Sequence, residues 1–144
     1  MSAENEKKVT DYCHSLEEAN LAKSVQHLSE DVDYQNIGTS QSTGHAGVQE
    51  MLGEWIDAGM LQKMDIKHTA SSGNIVMNVR LETWALGDVT IHLPCMGMFE
   101  VNSEGKICRW HDYWDRGVLE PLMAEMKRVR GRESLFDEHM ARQA

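Results

Sequence analysis

The stretch Lys106–Asp115, with the sequence KICRWHDYWD, follows a turn-forming segment at 102–105 and predicts a β-strand. Side chains on a strand alternate between its two faces. One face therefore carries Cys108, Trp110, Asp112 and Trp114, and the other carries Ile107, Arg109, His111 and Tyr113. If the first face is buried, Asp112 needs a partner, because an unpaired buried carboxylate is costly or stays protonated. Alternatively, Asp112 faces water or caps a local turn.

The composition is typical of a globular protein. The 144 residues fit one domain, 1–144, and they are 41% hydrophobic and 26% charged. No apolar run is long enough to cross a bilayer, and the first residues lack the apolar core of a signal peptide. We therefore expect a cytoplasmic protein without a membrane partner. The net charge of −9 argues against a nucleic-acid partner, whose phosphates favour a basic surface.

Cysteine and histidine spacing indicates neither a disulfide framework nor a metal site. The chain has three cysteines, an odd number without a CxxC pair: Cys13, Cys95 and Cys108. Three of the histidines lie far apart along the chain, without the tight spacing of metal ligands: His45, His92 and His111. We expect no metal and a reducing compartment.

Hydrophobic periodicity orders the rest of the chain into helices followed by strands. Helical spacing is found at 4–18, in a short segment capped by Asn20, at 45–58, and from Arg116 onward. Strand patterns occupy 32–36, 61–70, 75–86 and 89–101. This order predicts an α+β fold with helices packed on a curved antiparallel sheet.

Polar residues recur on one face of two further strands. Alternation places Asn78, Arg80, Glu82, Trp84 and Leu86 on one face of strand 75–86. These residues indicate a polar cluster within a cavity, although charges that protect an exposed edge strand would give the same pattern. On strand 32–36, alternation sets the Tyr34 hydroxyl beside the Asn36 amide, as a functional pair or as one that closes a loop.

If adjacent strands bring Arg80, Glu82 and Asp112 inward, one guanidinium can fork between two carboxylates. A dry pocket then favours retention of one proton, which leaves one acid and one base at neutral pH. Those two roles add water across a strained or polarised bond. Tyr34 and Asn36 can hold the same water from the other side.

These residues together resemble a known family, the limonene-1,2-epoxide hydrolases, over about 5–120. The resemblance is carried by Asp33-Tyr34-Gln35-Asn36, Ser71-Ser72-Gly73, Arg80-Leu81-Glu82, and Gly105-Lys106-Ile107 leading to Trp110–Asp115. The family belongs to the NTF2-like (SnoaL-like) superfamily, which also holds ketosteroid isomerase and polyketide cyclases. The resemblance implies a cone-shaped fold with a curved, mixed, mostly antiparallel sheet and helices on its concave side.

The resemblance also implies roles for five residues. Asp112 is expected to be the base that activates water, and Tyr34 and Asn36 are expected to hold that water. Glu82 is expected to protonate the epoxide oxygen, and Arg80 to bridge the two carboxyls. Water would attack directly, without a covalent intermediate and without a cofactor.

The implied substrate is a small apolar epoxide, cyclic or terpene-like. The pocket wall is expected to include Trp84, Met96 and Trp114. A homodimer through the open face of the sheet is also expected.

Two features depart from the family pattern. The family has an aspartate where this chain has Glu82, and the added methylene displaces the carboxyl by about one C–C bond. The chain past Arg130 is longer than expected and predicts a helical extension from about 131. That extension could cap the pocket, extend a dimer interface, or have no catalytic role.

Two other functions remain open from the sequence. The same fold could carry an isomerase or cyclase in which Asp112 moves a proton on a carbon acid without incorporating water. The chain could also be a non-catalytic ligand-binding or dimerisation module whose three charges form a buried ion network. A cavity without room for a ligand beside Asp112 would favour the module.

Overall fold

The computed structural model describes residues 2–134, 136 and 138, which form helices on one side of a six-stranded sheet. The α-helices are α1 (Ser2–Ser15), α2 (Leu21–Ser24), α3 (Gly44–Ile56) and α4 (Arg116–Arg130). The strands are β1 (Leu28–Asn36), β2 (Ser42–Thr43), β3 (Leu61–Ser72), β4 (Ile75–Leu86), β5 (Val89–Val101) and β6 (Ile107–Trp114). Two short 3₁₀ segments, Leu16–Glu18 and Val25–His27, flank α2.

The sheet is curved and unclosed, with the strand order β2-β1-β6-β5-β4-β3. β1 and β6 run parallel, and the other neighbouring strands are antiparallel. The predicted α+β class with a mixed, mostly antiparallel sheet is confirmed. The parallel β1–β6 pair is important for the site, because it sets the end of β1 beside the end of β6.

The core lies between the sheet and three of the helices. α1 packs on β3, α3 on β1 and α4 on β5. We call the covered, concave side of the sheet the inner face and the opposite side the outer face. The outer face exposes Met77, Met96 and Tyr113, each about half accessible to solvent. Among the described residues, no helix is long and apolar enough to cross a membrane.

Strand β6 contains a bulge near its start. Val101 pairs with Ile107 whereas Glu100 pairs with Arg109, so the residue between them has no partner across the ladder. The predicted placement of Cys108 on the same face as Trp110 is therefore wrong. Its Sγ lies 3.5 Å from the Glu100 carbonyl oxygen, on a half-buried position. Beyond the bulge the predicted alternation holds.

Local signals at helix ends behave as the sequence predicts. The Asn20 side chain accepts a hydrogen bond from the Lys23 N–H and caps α2. Gly131 adopts a left-handed conformation and ends α4. Most of the predicted extension from about 131 lies outside the described residues, but Ser134 and Phe136 are both buried.

Candidate active site

Arg80 is the centre of a buried polar cluster on the inner face. Its side chain is only 1% exposed. Nε and Nη2 donate to Glu82 Oε2 at 3.0 and 2.8 Å, and Nη2 also donates to Asp112 Oδ2 at 2.9 Å. Nη1 donates to Asn78 Oδ1 at 2.8 Å. The structure thus brings Arg80, Glu82 and Asp112 together, with one guanidinium between two carboxyls.

Gly97 on β5 makes room for this cluster. It pairs with Asn78 on one side and with Asp112 on the other, so it lies between the two polar strands. A Cβ at this position would lie 2.9 Å from Asp112 Oδ1 and even closer to Arg80 Nη1. Sequence reasoning missed this role, although a glycine inside a strand is a signal of close approach.

Two tryptophans donate hydrogen bonds to the carboxyl oxygens that do not contact Arg80. Trp110 Nε1 donates to Asp112 Oδ1 at 2.9 Å, and Trp84 Nε1 donates to Glu82 Oε1 at 3.0 Å. Each carboxyl therefore has a donor on both oxygens, which stabilises its orientation within the pocket. Trp84 was expected to be only an apolar wall, and the donor role of both indoles was not predicted.

Tyr34 and Asn36 lie beside Asp112 because β1 runs parallel to β6. The register pairs Asn36 with Asp112 and Tyr34 with Trp110. Asn36 Nδ2 donates to Tyr34 Oη at 3.0 Å, and Trp114 Nε1 donates to Asn36 Oδ1 at 2.8 Å. The Tyr34 ring stacks on Trp110 with a centroid distance of 4.3 Å. The hydroxyl and amide that alternation set side by side are thus both buried next to the acid.

Burial governs the protonation of the cluster. Burial raises the pKa of Asp112, while Arg80 opposes this rise and the charge of Glu82 adds to it. Burial alone would lower the pKa of Arg80, but Asp112 and Glu82 raise it well above its usual value. Two ionised carboxyls around one guanidinium leave one uncompensated negative charge, which favours retention of one proton. Because both carboxyls contact the same guanidinium, that proton belongs to the pair.

The cluster opens into an apolar cavity of about 550 Å³, counted to its open mouth. Glu82 and Asp112 contribute to its floor, together with Tyr34 and Asn36. Part of this volume is open solvent at the mouth, and the rest borders both carboxyls. Open space therefore borders Asp112, whereas we expected a filled pocket for the non-catalytic module.

The predicted wall residues divide between the two faces. Trp84 and Trp114 line the cavity. Met96 does not, and the prediction that it does is wrong: its side chain is 55% exposed on the outer face. Strand alternation explains the difference, because Cys95, the preceding residue, points into the cavity and Met96 points away from it. The resemblance implied that Met96 is in the wall, although alternation along β5 puts Met96 on the face opposite to Cys95.

Two further aromatic wall residues come from helical parts of the chain. Trp55 lies on α3, and Phe136 lies beyond the end of α4. Both line the cavity, with their ring centroids 5.4 Å apart. Their helical spacing was visible in the sequence, but the cavity they share was not.

A metal ion has potential ligands here but a poor electrostatic environment. Glu82, Cys95 and Asp112 offer ligand atoms that lie within 4.8 Å of one another. However, Arg80 Nη2 lies within 3.0 Å of an atom of each of these residues. A cation would share this space with a buried positive charge, which repels it strongly. The donor set therefore fits the guanidinium better than it fits a metal.

Solved structures with the same fold include hydrolase-like proteins. An LEH-like epoxide hydrolase from M. tuberculosis is 24% identical, with a TM-score of 0.70 over 87% of this chain and 96% of that one. SalBIII, an epoxide hydrolase/cyclase-like enzyme in pyran ring formation in salinomycin, is 16% identical, with a TM-score of 0.71 over 79% and 92%. An NTF2-like protein of unknown function from Cytophaga hutchinsonii is 16% identical, with a TM-score of 0.64 over 82% and 93%.

These likenesses establish the cone-shaped NTF2-like fold that the sequence predicted. At the level of sequence, the model of the limonene-1,2-epoxide hydrolase catalytic domain matches residues 3–127. That match contains the whole cluster around Arg80 and both residues of the Tyr34–Asn36 pair. The chain therefore belongs to the limonene-1,2-epoxide hydrolase family.

Proposed function

We propose that this protein hydrolyses a small apolar epoxide to a vicinal diol by one-step general acid–base catalysis. One observation carries the proposal: a single buried guanidinium bridges two carboxyls at the floor of an apolar cavity. Tyr34 and Asn36 lie on the side of Asp112 where a water could be held. No residue of the cluster needs to form a covalent intermediate in this mechanism.

In the proposed reaction, the proton that the carboxyl pair retains lies on Glu82. The ionised Asp112 can then remove a proton from a water held by Tyr34 and Asn36. The water oxygen forms a bond to one epoxide carbon while the bond from that carbon to the ring oxygen breaks. Glu82 donates its proton to the leaving oxygen, so that the diol is neutral. Solvent then returns the proton from Asp112 to Glu82. Each proton transfer contributes on the order of 10²–10⁴ in rate.

The other groups of the cluster position the two acids. Arg80 Nη2 lies 2.8 Å from the Glu82 carboxyl and 2.9 Å from the Asp112 carboxyl, so it holds the two groups close together and favours a single shared proton. The indoles of Trp84 and Trp110 fix the remaining oxygens. Glu82, which stands where the family has an aspartate, reaches both Arg80 and Trp84. Its longer side chain is thus compatible with the proposed acid role.

The test is hydrolysis of a panel of cyclic and terpene epoxides in oxygen-18 water by the wild-type protein and by Asp112→Asn. We expect a diol with one labelled oxygen, and a loss of at least about 10³-fold in kcat/KM in the variant. Asp31→Asn, at an exposed position on β1, is the matched control and should retain activity. Circular dichroism checks that Asp112→Asn remains folded. Wild-type activity in folded Asp112→Asn would refute the assignment.

A cyclase is the second candidate, because the fold is shared with SalBIII, an epoxide hydrolase/cyclase-like enzyme. In that reaction a hydroxyl of the substrate itself, instead of water, would attack the epoxide with the same acid and base. An isomeric product without the label would favour the cyclase. The expected homodimer through the outer face and the expected cytoplasmic location stay predictions.

A further inference from the structure

Residues 130–132, at the end of α4, are held to α3 by charge. Gly131 ends the helix in a left-handed conformation. Arg130 then donates from Nη1 to the Glu54 carboxylate and from Nη2 to the Glu54 main-chain oxygen, the latter at 2.7 Å. Arg132 Nη2 lies 3.1 Å from the same carboxylate. Two arginines that flank the turn thus fasten this segment to α3.

Phe136, four residues after Arg132, lines the cavity. The Phe136 side chain is 5% exposed. Its ring centroid lies 5.4 Å from that of Trp55 on α3 and 6.0 Å from that of Trp114 on β6. Trp114 in turn donates to Asn36, which belongs to the proposed water-binding pair. Phe136 therefore forms part of the apolar wall near the reacting groups.

Phe136 lies outside the part of the chain that matches the family. The family match covers residues 3–127, so it includes Trp55 and Trp114 but ends before Gly131. The aromatic side chain between these two tryptophans is thus supplied by sequence that the family match does not cover. A pocket that lacks this ring would be larger on the side between α3 and β6.

We propose that Phe136 sets an upper limit on the size of the substrate, so that this pocket takes unsubstituted cycloalkene epoxides in preference to larger, substituted terpene epoxides. The choice of an epoxide rests on the proposed function, whereas the size limit depends only on the cavity. One methylene group in an apolar pocket changes selectivity by roughly 10- to 200-fold. Replacing a whole phenyl ring by a methyl group should therefore change selectivity strongly.

The experiment compares wild type with Phe136→Ala and Phe136→Leu on cyclohexene oxide and limonene-1,2-epoxide. The measured quantity is the ratio of kcat/KM for the larger substrate to that for the smaller one. We expect the ratio to rise by about 10-fold or more in Phe136→Ala and by less in Phe136→Leu. Val129→Ala, at an exposed apolar position on α4, is the matched control and should leave the ratio unchanged.

Binding of non-reacting ligands separates the size limit from the chemistry. Calorimetric titration with cyclohexanol and with menthol gives the same larger-to-smaller comparison without hydrolysis. If wild type hydrolyses no epoxide, the proposed function fails while the alcohol affinities still decide the size limit. An unchanged ratio in folded Phe136→Ala, with only a lower melting temperature, would mean that Phe136 is a core residue and would overturn the inference. If Phe136→Ala does not fold, Phe136→Leu decides by the same criterion.

The salt bridges to Glu54 provide an independent variant. Glu54→Gln removes the carboxylate that Arg130 and Arg132 share but leaves Phe136 in the chain. We expect the ratio to shift in the same direction as in Phe136→Ala, by a smaller factor. A shift in the opposite direction would contradict the role of this segment as the support of Phe136.

Discussion

Each face of β4, β5 and β6 carries some residues that are unusual for it, buried charges on the inner face and exposed methionines on the outer face. On the inner face, Arg80, Glu82 and Asp112 are between 1% and 5% exposed. On the outer face, Met77 and Met96 are about half exposed. Charged residues are almost never fully buried unless they are paired. The buried charges and the exposed methionines therefore need separate physical explanations.

The inner charges are explained by chemistry better than by stability. Removing a guanidinium and two carboxyls from water is costly, and the ion pairs they form often do no more than offset that cost. Every one of these groups is hydrogen-bonded, so the arrangement is tolerated. On the outer face, exposed methionines are consistent with a surface that a second copy of the chain could cover, as the predicted homodimer requires.

The largest expected effect comes from breaking the inner cluster. Arg80→Met leaves Glu82 and Asp112 buried without their cation, which should cost about 3–5 kcal/mol in the free energy of unfolding. Arg109→Met is the matched change on the outer side of β6, where Nη2 lies 3.4 Å from Glu100 and the side chain is 44% exposed. Such surface pairs contribute about 0–1 kcal/mol. Urea denaturation of both variants measures the contrast.

Equal losses in the two arginine variants would show that the two faces do not differ in this respect. A loss below about 1 kcal/mol in Arg80→Met would contradict the description of the cluster as a buried ion network.

A smaller effect should follow from filling the gap at Gly97. In Gly97→Ala the new methyl group would meet Arg80, Phe99 and Asp112, so the cluster must shift. Overpacking of this kind costs about 1–3 kcal/mol. A displacement of the reacting groups by about 1 Å can cost on the order of 10² in rate. Thermal denaturation and kcat/KM on the best epoxide measure the two effects.

The matched control for Gly97 is Gly53→Ala on α3. A Cβ at Gly53 would meet nothing within 4 Å, and alanine favours a helix by up to about 1 kcal/mol over glycine. This variant should be as stable as wild type or more stable. If Gly97→Ala behaved in the same way, with unchanged kcat/KM, the close approach at Gly97 would be refuted.

The smallest effect is a difference in the pH dependence of stability between wild type and Asp112→Asn. Burial raises the pKa of Asp112 above its unfolded value of about 3.9. The folded state therefore keeps a proton that the unfolded state releases. The stability from this group is complete below about pH 3.9 and is lost as pH rises through the raised pKa. The amide in the Asp112→Asn variant does not titrate, so the difference in unfolding free energy, wild type minus variant, should fall with pH.

One proton limits the slope of that difference to about 1.4 kcal/mol per pH unit. Urea denaturation from pH 3.5 upward measures it in both proteins. A difference that rises with pH would mean that Arg80 dominates over burial and that the pKa of Asp112 is lowered.

Much of the site was predictable because strand alternation is a local property. Tyr34 and Asn36 on β1, Arg80 and Glu82 on β4, and Asp112 on β6 all lie on the faces that their spacing indicated. The resemblance then related the three strands to one another. It failed at Met96, where alternation alone already pointed to the outer face.

Other features depended on contacts between distant segments. The bulge at Cys108 arises from the register of β6 against β5, which the strand's own pattern does not contain. The hydrogen bonds from Trp84 and Trp110 depend on the direction in which each indole turns. The position of Phe136 depends on the turn at Gly131 and on Glu54, which lies 76 residues before Arg130 in the chain.

The sequence by itself determined the order of helices and strands, which polar side chains of one strand share a face, and the family, because these depend on periodicity and on short motifs. Only the tertiary structure decided that one guanidinium bridges both carboxyls, that Gly97 leaves room for it, and that Phe136 closes the wall. Those features depend on distances between strands and helices that are far apart in the chain, and packing alone sets such distances.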